Sequence, residues 1–271
     1  MKTIDDIQKM IPRYDVQDFE GLRKAGKLAA QALDYITPFV IEGVSTGHLD
    51  KLLEKFIEDN RATPACLGYH GYPKVSCISP NHVVCHGIPE EGKKLNRGDI
   101  VNIDVTVIVD GYFGDTSRMY YVGVPSIKGD KLTRFTYEAL MAAIAEVKPG
   151  VPFSRIGRII SSMAREKNYG VVEDFCGHGI GKSFHHEPNV VHYYDDIYDN
   201  LLMQEGMVFT IEPMINIGKP ETMVLSNNWT AVTRDKSLSA QFEHQVGVTK
   251  DGCEIFTLSP AGYEFPPYKK G

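Results

Sequence analysis

The sequence predicts an α+β fold of two pseudo-symmetric halves, each with helices packed on one face of an antiparallel sheet. Three observations predict it: a helix–turn–helix–strand pattern that recurs about 107 positions along the chain, a β-branched run closed by an Asp-Gly turn, and an ordinary globular composition. In the first copy, Phe19, Leu22, Ala25, Ala29, Leu33 and Ile36 recur at helical spacing over residues 17–37. Gly43-Val44-Ser45 then breaks the pattern, and residues 48–57 read as a second amphipathic helix capped by Ser45 or Thr46. In the second copy Ala139-Leu140 answers Ala32-Leu33, Gly150-Val151 answers Gly43-Val44, and Ile156, Ile159 and Ile160 answer Leu49, Leu52 and Leu53. The following segments match at an offset of 108, with Leu95, Gly98, Ile100 and Ile103-Asp104 lying over Met203, Gly206, Val208 and Ile211-Glu212. Each is read as a turn feeding a strand that ends in an acid. Pseudo-symmetric halves place a ligand pocket at their junction.

Composition bounds the function. With 271 residues, 42% hydrophobic and 24% charged, the chain is long enough for a sizeable core and unlike a disordered, collagenous or coiled-coil protein. A net charge of −6 argues against a dedicated nucleic-acid binder. No apolar run of transmembrane length occurs, and the first residues do not read as a signal peptide, so the expectation is a protein with no membrane association. Five cysteines (66, 77, 85, 176 and 253) without a Cys-x-x-Cys pair speak against a disulfide scaffold or a four-cysteine zinc site, and for a reducing cytoplasm.

Residues 101–109 are β-branched and stop at Asp110-Gly111, the signal of a type I′ hairpin turn. A two-residue loop there pairs Val109 with Tyr112, so Thr106 faces Asp115 and Asp104 faces Ser117. Asp104, Thr106 and Asp115 therefore share one sheet face, while Ile103, Val105, Val107 and Val109 form a core stripe on the other. The two carboxylates become diagonal neighbours roughly 7–8 Å apart at the backbone. Like charges so placed call for a cation between them. For the hairpin alone, two solvated aspartates on an exposed face are the alternative, and a bulge near the turn would break the register.

The stretch Cys176-Gly177-His178-Gly179-Ile180-Gly181-Lys182-Ser183-Phe184-His185-His186-Glu187-Pro188 admits three readings. A P-loop needs glycine at 176 and a helix where Pro188 stands; a thermolysin-like zinc helix needs His-Glu-x-x-His, which occurs nowhere. The third reading is a bare-backbone loop presenting His178, with His185 nearby, to a metal or a substrate; a merely structural histidine is its alternative. Glu212 and Glu243 both stand in apolar, strand-like settings where an unpaired carboxylate is unfavourable. Four carboxylates and one histidine converging would suit two divalent ions about 3.5–4 Å apart. Oxygen-rich ligation suits Mn, Fe(II) or Co better than a structural zinc site.

In order and spacing, Asp104, Asp115, His178, Glu212 and Glu243 resemble the five metal ligands of the pita-bread metallopeptidases, and nearly the whole chain is similar to the type I methionine aminopeptidases, short bacterial form. The resemblance is carried by Tyr69-His70-Gly71-Tyr72-Pro73, Cys77-Ile78-Ser79, Val84-Cys85-His86-Gly87-Ile88-Pro89, Asn102-Ile103-Asp104-Val105 and Gly114-Asp115-Thr116-Ser117. It continues through Gly177-His178-Gly179-Ile180-Gly181, His185-His186-Glu187-Pro188, Thr210-Ile211-Glu212-Pro213 and Ala240-Gln241-Phe242-Glu243-His244.

That resemblance implies a pita-bread fold, a central curved antiparallel sheet covered by helices, as one catalytic domain over 1–271 with halves of about 15–122 and 123–260. It implies removal of the initiator methionine from nascent chains with a small second residue. Asp104 would hold one metal, Asp115 and Glu243 would bridge, and His178 and Glu212 would hold the other; Co, Mn, Fe(II), Zn and Ni stay open as the ions. Glu212 would be the general base, His185 would act on the scissile carbonyl or the developing oxyanion, and His86 on the scissile amide nitrogen. Cys66, Tyr69, Tyr72, Cys77, Phe184 and Trp229 would line the methionine pocket, with His86 and His185 touching substrate. Trp229, the single tryptophan, stands in polar Ser226-Asn227-Asn228-Trp229-Thr230, which suits a loop over a site. Asn81, Val83 and Ser239 match a main-chain site for a monovalent cation. The resemblance further implies a cytoplasmic monomer acting on nascent N-termini near the ribosomal peptide exit. Prolidase-like dipeptidases and aminopeptidases, which carry an extra N-terminal domain, are the runner-up. A peptide-binding module without turnover is the competitor from another class.

Overall fold

A computed structural model describes residues 3–268. Among these residues the α-helices are α1 (Ile4–Met10), α2 (Val16–Ile36), α3 (Thr46–Asp59), α4 (Ile127–Ile144) and α5 (Ser154–Lys167). Of the helices that the sequence bounds, α2 matches residues 17–37 to within a residue and α3 extends residues 48–57 by two at each end; Ser45 caps α3 by accepting the His48 N–H. Helix α1 was not anticipated, although Thr3 and Asp6 form a capping box at its start. Seven residues, about two turns, are too few for periodicity to register.

The strands Ile100–Val109 and Tyr112–Tyr121 form an unbroken antiparallel hairpin in the expected register, Thr106 opposite Asp115 and Asp104 opposite Ser117. Asp110 and Gly111 both take positive φ (51° and 84°), as a type I′ turn requires. Ile103, Val105 and Val107 are fully buried under α2 and α3, beside Leu33, Leu49 and Leu53. The first strand runs five residues past Asp104, so it does not end at the acid as the repeat alone implied. In the second copy Pro213 follows Glu212, and the matching strand Val208–Ile211 stops there.

Elsewhere the duplication reaches backbone detail. Gly43 and Gly150 share φ near +82°, at +82° and +83°. Leu49 and Leu53 are buried with Leu52 half-buried between them, and Ile156, Ile159 and Ile160 repeat that pattern. Helices α4 and α5 cover a second core containing Phe209, Ile211, Ile215 and Val246. Its main sheet has five strands, in the order Cys253–Ile255, His244–Val248, Val208–Ile211, Gly177–Gly179 and His186–Val190, all antiparallel. Two three-stranded sheets complete the fold, one of them joining Val83–Cys85 to Ala231–Thr233. Among the described residues no helix is long and apolar enough to cross a membrane.

The two main sheets meet along a stitched seam. Ser117 pairs with Glu243, whose N–H donates to the Ser117 carbonyl at 3.1 Å. Thr116 donates its hydroxyl to the Glu243 carbonyl, Asn102 its amide to the Gln241 carbonyl, and the Asp115 N–H goes to Gln245 Oε1. The site is built across this seam.

Candidate metal centre and active site

Asp104 and Asp115 arrive on the polar face of the hairpin because the ladder puts them there. His178 comes from the three-residue strand Gly177–Gly179, Glu212 from the end of Val208–Ile211, and Glu243 from the seam. All five line one cavity of about 490 Å³. Ligand-type atoms of Asp115, His178 and Glu243 lie within 4.8 Å of one another. His178 Nε2 is 3.6 Å from Asp115 Oδ2 and 3.6 Å from Glu212 Oε1.

Several side chains aim these groups. Thr106 donates to Asp115 Oδ1 at 2.8 Å. The Thr210 hydroxyl accepts the His178 N–H at 3.0 Å and donates to Glu212 Oε1 at 2.8 Å, tying two of the five together. Gln241 donates to Glu212 Oε2, and the Glu212 N–H donates to Nε2 of the fully buried His192.

The electrostatics are those of an overcrowded acid cluster. Burial, and then the Asp115 charge, pushes the Asp104 carboxyl well above the usual carboxylate range, and burial with Asp115 and Glu212 does the same to Glu243. Burial raises Glu212 to about 7, with His178 opposing and Asp115 reinforcing the shift. For His178 burial disfavours the charged ring, but the Asp115 and Glu212 carboxylates prevail and raise its pKa. Asp104 Oδ1 is buried with no hydrogen-bond partner among the described residues. An acceptor of that kind is costly unless something positive meets it. Oxygen donors, one imidazole and an orphaned carboxylate oxygen fit a divalent cation.

In the same cavity, beside Asp104 and Thr106, Cys66, Tyr72 and Cys77 are buried together with Ile88, Phe184 and Trp229 packed against them. Trp229 meets Tyr72 edge-on at 5.0 Å, and the Tyr72 hydroxyl donates to the Ser76 carbonyl, so its polar tip is turned away. His185 stacks on Phe184 (4.1 Å), lies 4.0 Å from the His178 ring, and holds Tyr69 Oη at 2.7 Å from Nδ1. Burial, followed by the neighbouring His178 and His86 rings, pushes His185 down to about 3, and burial lowers His86 too, so both rings are neutral. His86, at φ +54°, faces Phe175 and Trp229.

Every residue that sequence reasoning assigned to metal, catalysis or the apolar pocket therefore lines this one cavity. Asn81, Val83 and Ser239 lie outside its lining: Ser239 donates its N–H to the Asn81 carbonyl at 2.8 Å, and Val83 pairs with Val232. Sequence reasoning gave no role to His70, Cys85, Phe175, Cys176, His186, Glu187, Asn189, Met214 and Gln241 in the lining, nor to Thr210 and His192 behind it, and put Thr106 on the face of the two aspartates without a task. Gln241 stood inside a quoted motif, but only tertiary contact gives it a task.

Residues 20–250 match the model of metallopeptidase family M24. The chain is 53% identical to the methionine aminopeptidase of Escherichia coli K12 over 243 residues, 89% of this chain and 92% of that one. The chain belongs to the methionine aminopeptidases of family M24. The crystal structure of the methionine aminopeptidase from Rickettsia prowazekii superposes with a TM-score of 0.89 at 53% identity, over 92% of this chain and all of that one. The prolidase from Pyrococcus furiosus superposes at 0.73 and 25% identity, and this chain covers 67% of it. Membership in this family makes the chain a pita-bread metallopeptidase that uses divalent metal, and the Asp115–His178–Glu243 cluster could hold such an ion.

Proposed function

We propose that this protein removes N-terminal methionine from nascent proteins and peptides, with a preference for a small second residue. The observation that carries the reading is one cavity joining a carboxylate–histidine cluster to a thiol-and-aromatic pocket, in a chain covering 92% of its Escherichia coli relative. A polarisable, unbranched thioether suits a pocket of cysteine sulfur and aromatic rings. The halves, about 15–122 and 123–260, would work together as one catalytic unit.

Asp104 would hold one divalent ion, His178 and Glu212 the other, with Asp115 and Glu243 between them. When bound, such ions supply Lewis acidity that polarises the scissile carbonyl and acidifies the attacking water. The side chains do the rest. Glu212 is held by Thr210 and Gln241 to take the proton of that water. With His185 Nδ1 accepting the Tyr69 O–H, Nε2 carries the proton and donates to the carbonyl oxygen as charge builds on it. His86 serves the scissile nitrogen and the leaving amine. The Asn81–Val83–Ser239 backbone would take a monovalent cation. A cytoplasmic monomer working on chains as they leave the ribosome completes the proposal.

Dialysis against a chelator followed by titration with Mn, Fe(II) or Co tests it, with Met-Ala-Ser, Leu-Ala-Ser and Ala-Pro peptides as substrates. Metal-restored release of methionine, with Leu-Ala-Ser slower, is expected. Cleavage before proline would move the protein to the prolidases, and metal-independent or absent turnover would sink the reading.

A further inference from the structure

The turn that carries Phe184 and His185 links the short strands Gly177–Gly179 and His186–Val190, and it has little regular structure of its own. It is held from outside by the N-terminal segment. The Lys182 N–H donates to Tyr14 Oη at 3.1 Å, and the same hydroxyl lies 3.4 Å from His186 Nε2. His186 Nδ1 sits 2.6 Å from the Glu187 carbonyl, which fixes the proton on Nδ1 and leaves Nε2 to accept from Tyr14. One hydroxyl therefore spans the turn, receiving at residue 182 and giving at 186, with Phe184 and His185 between.

A second observation is steric. A Cβ on Gly181 would run into the Tyr14 ring, so the bare backbone at 181 is shaped to seat that ring. The Gly181 carbonyl in turn accepts the Phe113 N–H at 2.8 Å. A third is the anchoring of Tyr14 itself. Its N–H donates to the Gly206 carbonyl at 2.7 Å, Arg13 donates to the Glu205 carbonyl at 2.8 Å, and Gln8 of α1 exchanges two hydrogen bonds with the Leu202 backbone. Asp18, at the start of α2, adds an ion pair to Lys182 Nζ at 2.6 Å.

We infer that Tyr14 is a positioning residue for the reaction: the N-terminal strap pins both ends of the turn and so sets where His185 meets the substrate carbonyl. The inference rests on the role proposed above for His185.

The test is a double-mutant cycle on the metal-loaded full chain, with Tyr14→Phe, His185→Ala and the pair, assayed with Met-Ala-Ser. Phenylalanine keeps the ring against Gly181 and removes only the hydroxyl. Loss of that link is expected to lower kcat about 5–10-fold, the weight of one or two hydrogen bonds. KM and the thermal midpoint should barely move, and calorimetry should find the Mn stoichiometry of the parent. In the His185→Ala background the same change should cost less than about twofold, because coupled groups are not additive. An unchanged kcat in Tyr14→Phe, or an equal loss in both backgrounds, would overturn the strap while leaving the proposed reaction intact. A His185→Ala enzyme as fast as the parent would remove the role on which the strap depends.

Discussion

The two sides of the seam deliver their metal-facing residues by different means. On one side a single hairpin, ten residues per strand and without a register shift, places Asp104 and Asp115 chiefly by ladder geometry, with the neighbouring Thr106 adding a hydrogen bond to Asp115 Oδ1. On the other, three-, four- and five-residue strands carry or flank His178, Glu212 and Glu243, the pairing of Gly177–Gly179 with His186–Val190 shifts register beside His178, and side chains make up for the missing ladder. Among the described residues Thr210, Gln241 and His192 have no counterpart around Asp104, whose Oδ1 meets no hydrogen-bond partner there. A long ladder positions through the backbone; a broken one must position through hydroxyls, amides and imidazoles.

Three changes press on that difference, the largest first. Asp115→Asn removes a hairpin carboxylate that faces His178 across the seam at 3.6 Å, and kcat/KM for Met-Ala-Ser should fall by about 10³-fold or more, since metal-borne charge stabilisation is worth several kcal/mol. Circular dichroism should stay native, because the hairpin does not need the charge; a variant with parental turnover would break the metal assignment. Thr210→Val should weaken metal binding by about 10–100-fold in a Mn titration, the usual weight of a group that aims a ligand. Binding as tight as the parent's would mean that the broken side is rigid without its hydroxyl. Gly111→Ala strains a turn residue at φ +84° and should cost about 1 kcal/mol in urea unfolding, with kcat unchanged. A drop in kcat there would show that the ladder transmits turn strain to Asp104 and Asp115.

The same contrast explains what could be read from the residues. The hairpin register followed from one Asp-Gly pair and the two-residue period of a strand, and the large helices from their apolar spacing. The duplication was visible because its glycines and leucines sit where each half needs a positive φ or a buried contact. Thr210 and His192 were not legible: the threonine looks like any strand residue until the fold sets the His178 N–H on its hydroxyl, and the histidine like any core one until the fold brings the Glu212 N–H to it. Helix α1 and its continuation to Tyr14 escaped for a related reason, since their partners, Leu202, Gly206 and His186, lie almost two hundred positions away.

The seam has a further consequence for how the molecule comes apart. Residues 102–117 and 241–245 are joined there by backbone and amide hydrogen bonds, and the carboxylates that would share a cation stand on both sides of it. A cation held in that position acts as a removable cross-link closing a very long loop, in the way a disulfide does but set by metal activity rather than by redox potential. Loading would then fuse the melting of the two cores into one cooperative event whose midpoint climbs with free metal.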